Sequence, residues 1–186
     1  MANIHEISAG HLTLDKVWEI LRGNYKLKLG DDSRKRIVRC REYLDNKIAT
    51  SETPIYGVTT GFGSLYNISI GEDQLSQLQI NLMMSHACGI GNRVPNEIVK
   101  LMILLKIQSL SYGYSACKLD TVERLIDFFN NDIYPVVYMQ GSVGASGDLV
   151  PLAHLCLPLV GLGEVEYQGK LMSGADRMPM MGWEPI

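Results

Sequence analysis

Apolar residues recur at the three- and four-residue spacing of an amphipathic helix over most of the chain. This spacing predicts six helices, at residues 15–22, 33–48, 72–88, 96–112, 120–131 and 148–161. The fourth is apolar nearly all round, which is typical of a helix packed between others. Pro151 is compatible with the sixth because it falls in the first helical turn.

Residues 50–71 and 141–147 are rich in small and turn-forming residues and are predicted to be loops. Residues 164–171 predict a small β-hairpin that turns at Gly169. Residues 173–186 lack a strong periodicity, and their large apolar side chains have no following element to cover them. We therefore expect a single, mainly α domain over residues 1–186, with further sequence needed downstream.

Composition narrows the class of protein. A hydrophobic fraction of 46%, a charged fraction of 20% and a net charge of −3 are those of an ordinary globular protein without the basic excess of a nucleic-acid binder. No secretory signal precedes the first helix, and the longest apolar run, 149–162, is too short and too interrupted to span a membrane. These features predict a cytoplasmic protein.

The cysteines and histidines do not form a recognisable metal motif. CxxC and HExxH patterns are absent from the sequence, so no metal site is predicted. We expect the thiols to be reduced and mostly buried, as free cysteines commonly are. They are Cys40, Cys88, Cys117 and Cys156.

Nucleotide binding is the first hypothesis that the glycine-rich loops invite. Residues 57–61 lack the GK[ST] ending of a phosphate loop, and residues 61–63 lack the third glycine of a dinucleotide fingerprint. No nucleotide cofactor is therefore predicted. Residues 144–148 approach the G-x-S-x-G turn of serine hydrolases, but Asp148 replaces the last glycine, which leaves a serine hydrolase as a weaker alternative.

Ala145, Ser146 and Gly147 allow a different chemistry. If the Gly147 nitrogen reaches the Ala145 carbonyl carbon, cyclisation and loss of water give an imidazolone, and glycine permits this close approach. Loss of the Ser146 hydroxyl as a second water then leaves 4-methylidene-imidazol-5-one (MIO), a strong electrophile. Asp148 is expected to cap the following helix, whose N-terminal dipole would favour negative charge on the ring.

Three segments in the expected order resemble the family of MIO-dependent aromatic amino acid ammonia-lyases. Residues 141–154 resemble the MIO loop and following helix, residues 56–63 the tyrosine loop, and residues 81–91 the Asn-Leu-x-x-Ser-His-Ala segment of bacterial histidine ammonia-lyases. The resemblance runs from about residue 4 to residue 186. It implies the N-terminal part of the ammonia-lyase fold.

The resemblance implies roles for particular residues. Tyr56 would be a catalytic acid or base on a mobile loop, Gly63 and His86 would bind substrate, and MIO would form from residues 145–147 without a metal or nucleotide. His154, which lies among leucines, is expected instead to be a core histidine. Family members contribute further site residues from a C-terminal part, so we expect residues 1–186 alone to be inactive and partly uncovered.

The implied reaction removes ammonia from an aromatic amino acid in a homotetramer. L-histidine is the expected substrate and urocanate the expected product. Three alternatives remain open: a phenylalanine or tyrosine ammonia-lyase or aminomutase, a shortened family member that acts only in assembly, and a helical binding module whose loop matches by coincidence.

Overall fold

The computed structural model describes residues 3–51, 53–66, 68, 70–141 and 147–186. Helices dominate this part of the chain, as predicted. They are α1 Leu14–Arg22, α2 Asp31–Thr50, α3 Leu75–His86, α4 Asn96–Ser111, α5 Leu119–Asn130, α6 Leu149–Cys156 and α7 Gly174–Met180. No described helix combines the length and the apolar composition that crossing a membrane requires.

The helices follow the apolar pattern of the sequence. α5 buries one face, with Leu125, Phe128 and Phe129 nearly inaccessible to solvent. α4 packs against α5, α2 and α1. The sixth predicted helix is divided: α6 ends at Cys156 and a 3-10 turn follows at Leu157–Val160. Proline explains the division, because Pro158 has no N–H to donate to the α-helical ladder.

Short strands frame the helices. They are β1 Ile4–Ile7, β2 Lys26–Leu29, β3 Ile90–Arg93, β4 Ile133–Pro135, β5 Tyr138–Gln140, β6 Glu164–Tyr167 and β7 Lys170–Ser173. β1 pairs with β2 in parallel, β3 pairs with β5 antiparallel, and β4, β6 and β7 form an antiparallel sheet in that order. The β6–β7 pair is the predicted hairpin, whereas the other strands were not predicted.

The C-terminal residues are more ordered than their sequence pattern suggested. α7 buries Met178, and Trp183 packs on Phe128 with 6.0 Å between ring centroids. The expectation of an uncovered apolar tail is therefore wrong for these side chains, although Met180 is 66% exposed. On α4, Ile98 and Leu105 are each 47% exposed. That helix is packed on one face rather than all round.

The prediction of mostly buried thiols is wrong for Cys88. Cys88 is exposed, and the other three cysteines are partly buried. All four are free. Cys88 lies between the end of α3 and the start of β3, and its position in a connecting segment explains its exposure.

Asn130 closes the free edge of β2. Its side-chain oxygen accepts from the Leu27 N–H at 2.7 Å, and its amide donates to the Leu27 carbonyl at 2.9 Å. We expect Asn130→Ala to lower the free energy of unfolding by about 1–3 kcal/mol, because it leaves a partly buried donor and acceptor unpaired. Urea denaturation measures this loss. Asn131→Ala, which removes one exposed bond to Asp127, is the matched control, and equal losses would contradict the assignment.

Candidate active site

The tyrosine loop, residues 56–63, is shaped by its own threonines. The Ile55 carbonyl accepts from Val58 and Thr59 N–H groups at 3.0 and 2.9 Å, which makes a tight turn around Tyr56. The Thr59 hydroxyl accepts from the Ile55 N–H at 2.8 Å. The Thr60 side chain is fully buried and accepts from the Gly57 N–H at 3.2 Å. The threonine hydroxyl groups therefore accept hydrogen bonds from backbone N–H groups that would otherwise bond to carbonyls in a helix or sheet.

Phe62 joins the two predicted site residues. Its ring centroid lies 5.7 Å from that of Tyr56, and 5.5 Å from that of His86 in an edge-to-face arrangement. The ring occupies the space beside Gly57, where an added Cβ would approach Phe62 Cε1 to 2.6 Å. Gly57 also has a φ of +70°, so two independent constraints favour glycine there. Phe62 was not predicted from the sequence to be part of the site.

Gly63 contacts the Tyr56 hydroxyl directly. The Gly63 N–H donates to Tyr56 Oη at 3.3 Å, and Gly63 itself has a φ of +59°. Because the hydroxyl accepts this bond, its own proton stays free for transfer to another group. Tyr56 is 60% exposed, so a molecule approaching the loop can reach the hydroxyl.

His86 is the last residue of α3 and is partly buried. Its Nδ1 lies 2.8 Å from the Leu82 carbonyl, which assigns the proton of the neutral ring to Nδ1. Nε2 is then the acceptor atom of the ring. A backbone carbonyl thus orients the imidazole, while Phe62 places it beside the tyrosine loop.

Of the three residues predicted to form MIO, residues 145–147, only Gly147 is among the described residues. Ala145 and Ser146 lie outside the described residues. Gly147 has a φ of +75°, and no heavy atom of the described residues lies within 4 Å of a hypothetical Cβ on it. Asp148 follows at the N-cap position of α6, but its side chain makes no capping hydrogen bond, so that prediction is wrong. Its φ and ψ of −129° and 4° differ from the extended conformation in which a cap side chain reaches the helix N–H groups.

α6 is tied to the segment that follows His86. His154 Nε2 accepts from the Gly89 N–H at 2.9 Å, and its ring meets Tyr138 edge to face at 5.2 Å. His154 is partly buried rather than a core residue, because it faces this backbone segment and not the leucines around it in sequence. Gly141, the first residue of the glycine-rich loop 141–147, packs so closely on Gly89 that a Cβ added to Gly141 would lie 3.0 Å from the Gly89 Cα.

Burial lowers the pKa of His154 below its ordinary value of 6.5. As the pH falls through 6.5, His154 binds a proton in the unfolded chain before it does so in the folded chain. Protonation therefore favours the unfolded chain, and the free energy of unfolding decreases below this pH. We expect the free energy of unfolding to fall more between about pH 7 and pH 5 in the wild type than in His154→Gln, measured by urea denaturation. The pKa of His5 is also lowered, but His5 is present in both proteins, so its effect on the free energy of unfolding cancels in the comparison. Identical pH profiles would contradict the prediction.

A polar cleft of about 540 Å³ lies elsewhere in the described part of the chain. Asn96, Tyr134 and Glu166 are among its lining residues. Tyr56, Gly63, His86 and Gly147 are not among them. The predicted site residues therefore lie outside this cleft, and Tyr56 is 60% exposed. In the described residues no three His, Cys, Asp or Glu side chains come together to hold a metal ion.

The structure thus gathers the predicted residues in two groups, both attached to α3. Tyr56, Gly63 and His86 form one group through Phe62. Gly147 belongs to the other, which reaches α3 because α6 packs against that helix. No hydrogen bond between described residues joins Tyr56 to Gly147.

Comparison with known proteins identifies the family. Residues 12–186 match the model of the aromatic amino acid lyases, and the chain belongs to this family. Histidine ammonia-lyase of Deinococcus radiodurans is 47% identical over 175 residues, which are 94% of this chain and 33% of that relative. The chain therefore spans about a third of the length of this relative.

Solved structures of the same fold differ in their substrates. Ergothionase of Treponema denticola, in complex with desmethyl-ergothioneine sulfonic acid, superposes with a TM-score of 0.92 at 27% identity, covering 99% of this chain and 37% of that structure. Phenylalanine aminomutase of Pantoea agglomerans has a TM-score of 0.88 at 30% identity, with 100% and 35% coverage. The mainly α architecture is the ammonia-lyase fold, and the fold alone does not select a substrate.

Proposed function

We propose that the full-length protein is a histidine ammonia-lyase that converts L-histidine to urocanate and ammonia. The observation that carries this proposal is the 47% identity to a histidine ammonia-lyase over 94% of the chain. The Ser85-His86-Ala87 segment, which resembles bacterial histidine enzymes, and the position of His86 beside the tyrosine loop support it.

The described end of the MIO segment fits this cofactor. Gly147 has a φ of +75°, which residues other than glycine rarely adopt. It also stands directly before α6, whose N-terminal N–H groups favour negative charge. Residues 145–147 would form the ring. When formed, MIO supplies a strongly electrophilic methylidene carbon, which turns ammonia into a viable leaving group.

Tyr56 is proposed to move a proton of the substrate. Its hydroxyl is accessible, and the Gly63 N–H holds the oxygen without occupying its proton. His86 is proposed to bind the substrate through Nε2, since Nδ1 is engaged by the Leu82 carbonyl. Gly63 would line the same site, where the absence of a side chain leaves room for a ligand.

The rest of the proposal extends to the assembly. We propose a homotetramer in the cytoplasm, as the family resemblance implies. The open surface around Tyr56 supports a site completed by other parts of the protein, because ligand pockets usually bury most of a ligand's surface.

Parallel assays of L-histidine, L-phenylalanine and L-tyrosine test the substrate. The full-length protein should have a higher kcat/KM for L-histidine, measured as urocanate formation, than for L-phenylalanine or L-tyrosine, measured as cinnamate or coumarate formation. A higher kcat/KM for either competitor overturns the proposed substrate. The similarity to a phenylalanine aminomutase supports a second candidate, so the products should also be analysed for β-amino acids. Their formation in place of an alkene would identify an aminomutase.

A further inference from the structure

Gln79 connects α3 to the backbone next to Tyr56. Its side-chain Nε2 donates to the Gly57 carbonyl at 3.2 Å and to the Val58 carbonyl at 3.3 Å. A primary amide has two N–H donors, so each carbonyl can receive its own hydrogen. Gly57 and Val58 directly follow Tyr56 in the sequence. Gln79 therefore holds the carbonyl groups of the two residues that follow the tyrosine.

These bonds couple Tyr56 to His86. Among the described residues, they are the hydrogen bonds that join the tyrosine loop to α3, and the Phe62–His86 ring contact is the second link. Gln79 and His86 are seven residues apart, which is about two helical turns, so they lie on nearly the same face of α3. One rigid helix face thus sets the distance between the two proposed site residues.

We infer that Gln79 is a positioning residue for Tyr56, an inference that rests on the proposed function. Without the amide, the Gly57 and Val58 carbonyls would turn to water and the loop would lose its polar link to α3. A displacement of about 1 Å at a catalytic group can cost roughly 10²-fold in rate. Gln79 acts through Tyr56 and does not need to touch the substrate.

Gln79→Leu in the full-length protein tests this role, with Gln77→Leu as the matched control. Gln77 lies on the same helix, and its amide bonds to Asn81 at 2.8 Å instead of to the tyrosine loop. We expect Gln79→Leu to lower kcat about 10- to 100-fold with KM changed less than about threefold, because a misplaced proton-transfer group affects the transition state more than substrate binding. Gln77→Leu should stay within about twofold of the wild type.

A double-mutant cycle separates positioning from general destabilisation. In a Tyr56→Phe background, Gln79→Leu should reduce kcat by less than about twofold more, since the hydroxyl it positions is already absent. A further loss as large as in the wild type, or equal kcat values for Gln79→Leu and Gln77→Leu, would overturn the inference.

Amide hydrogen exchange tests the same contact without relying on turnover. Peptides covering residues 56–63 should exchange faster in Gln79→Leu than in Gln77→Leu, because the turn loses its anchor. Equal exchange would also overturn the role of Gln79. A wild-type protein that turns over none of the three amino acids would instead count against the proposed function, and the exchange result would still decide the role of Gln79.

Discussion

Ser146→Ala should abolish formation of MIO and lower turnover by about 10³-fold or more. Enzymes accelerate reactions by roughly 10⁶–10¹⁷-fold, so a loss of this size is within what a missing cofactor can cause. Alanine has no hydroxyl to lose as the second water, so the exocyclic methylidene cannot form. The full-length variant should therefore lack the two-water mass deficit across residues 145–147 and the absorbance of the ring. Peptide mass spectrometry and urocanate formation measure the two effects.

Ser142→Ala is the control for this experiment. Ser142 belongs to the same glycine-rich segment but stands outside the tripeptide, so its variant should keep both the mass deficit and turnover. Near-normal activity of Ser146→Ala would refute MIO chemistry in this protein. Loss of the deficit in both variants would mean that the serine hydroxyl is not the specific requirement.

Sequence periodicity was sufficient where an element was long and packed on one face. α2, α4 and α5 lie within about two residues of their predicted bounds, because each repeats its apolar spacing over several turns. Apart from the β6–β7 hairpin, the strands of three or four residues were missed, since such short segments offer too few alternations. β2 did carry a signal: Lys-Leu-Lys-Leu alternates, and both leucines are buried.

The candidate site residues were predicted by resemblance rather than by periodicity. Tyr56, Gly63 and His86 were predicted from resemblance to a family, and the structure places them around Phe62. Their catalytic and binding roles remain predictions. Phe62 and Gln79 were missed because their contacts between the tyrosine loop and α3 join residues far apart in the sequence, which local patterns do not encode. The spacing of Gln79 and His86 on one helix face was visible in the sequence, but their common target was not.

Wrong predictions arose where a local preference competed with tertiary contacts. Aspartate is favoured at helix N-termini, yet Asp148 has a backbone conformation that prevents side-chain capping. His154 stands among leucines in the sequence, whereas its ring is used to hold Gly89. Asp148 follows Gly147 in the sequence, and His154 links α6 to the segment after His86. Deviations from local rules are expected near functional regions.

Tyr56→Phe is expected to slow the reaction by about 10²–10⁴-fold while leaving MIO formation intact, because a positioned acid or base typically contributes that much. Phenylalanine keeps the ring that contacts Phe62 and removes only the hydroxyl that accepts from the Gly63 N–H. The mass deficit across residues 145–147 should therefore persist while kcat falls. Tyr66→Phe is the matched control, since Tyr66 is also an exposed tyrosine just beyond the tyrosine loop and should tolerate loss of its hydroxyl. A wild-type kcat for Tyr56→Phe would exclude the acid–base role. Equal losses in both variants would show that the effect does not depend on the position of Tyr56.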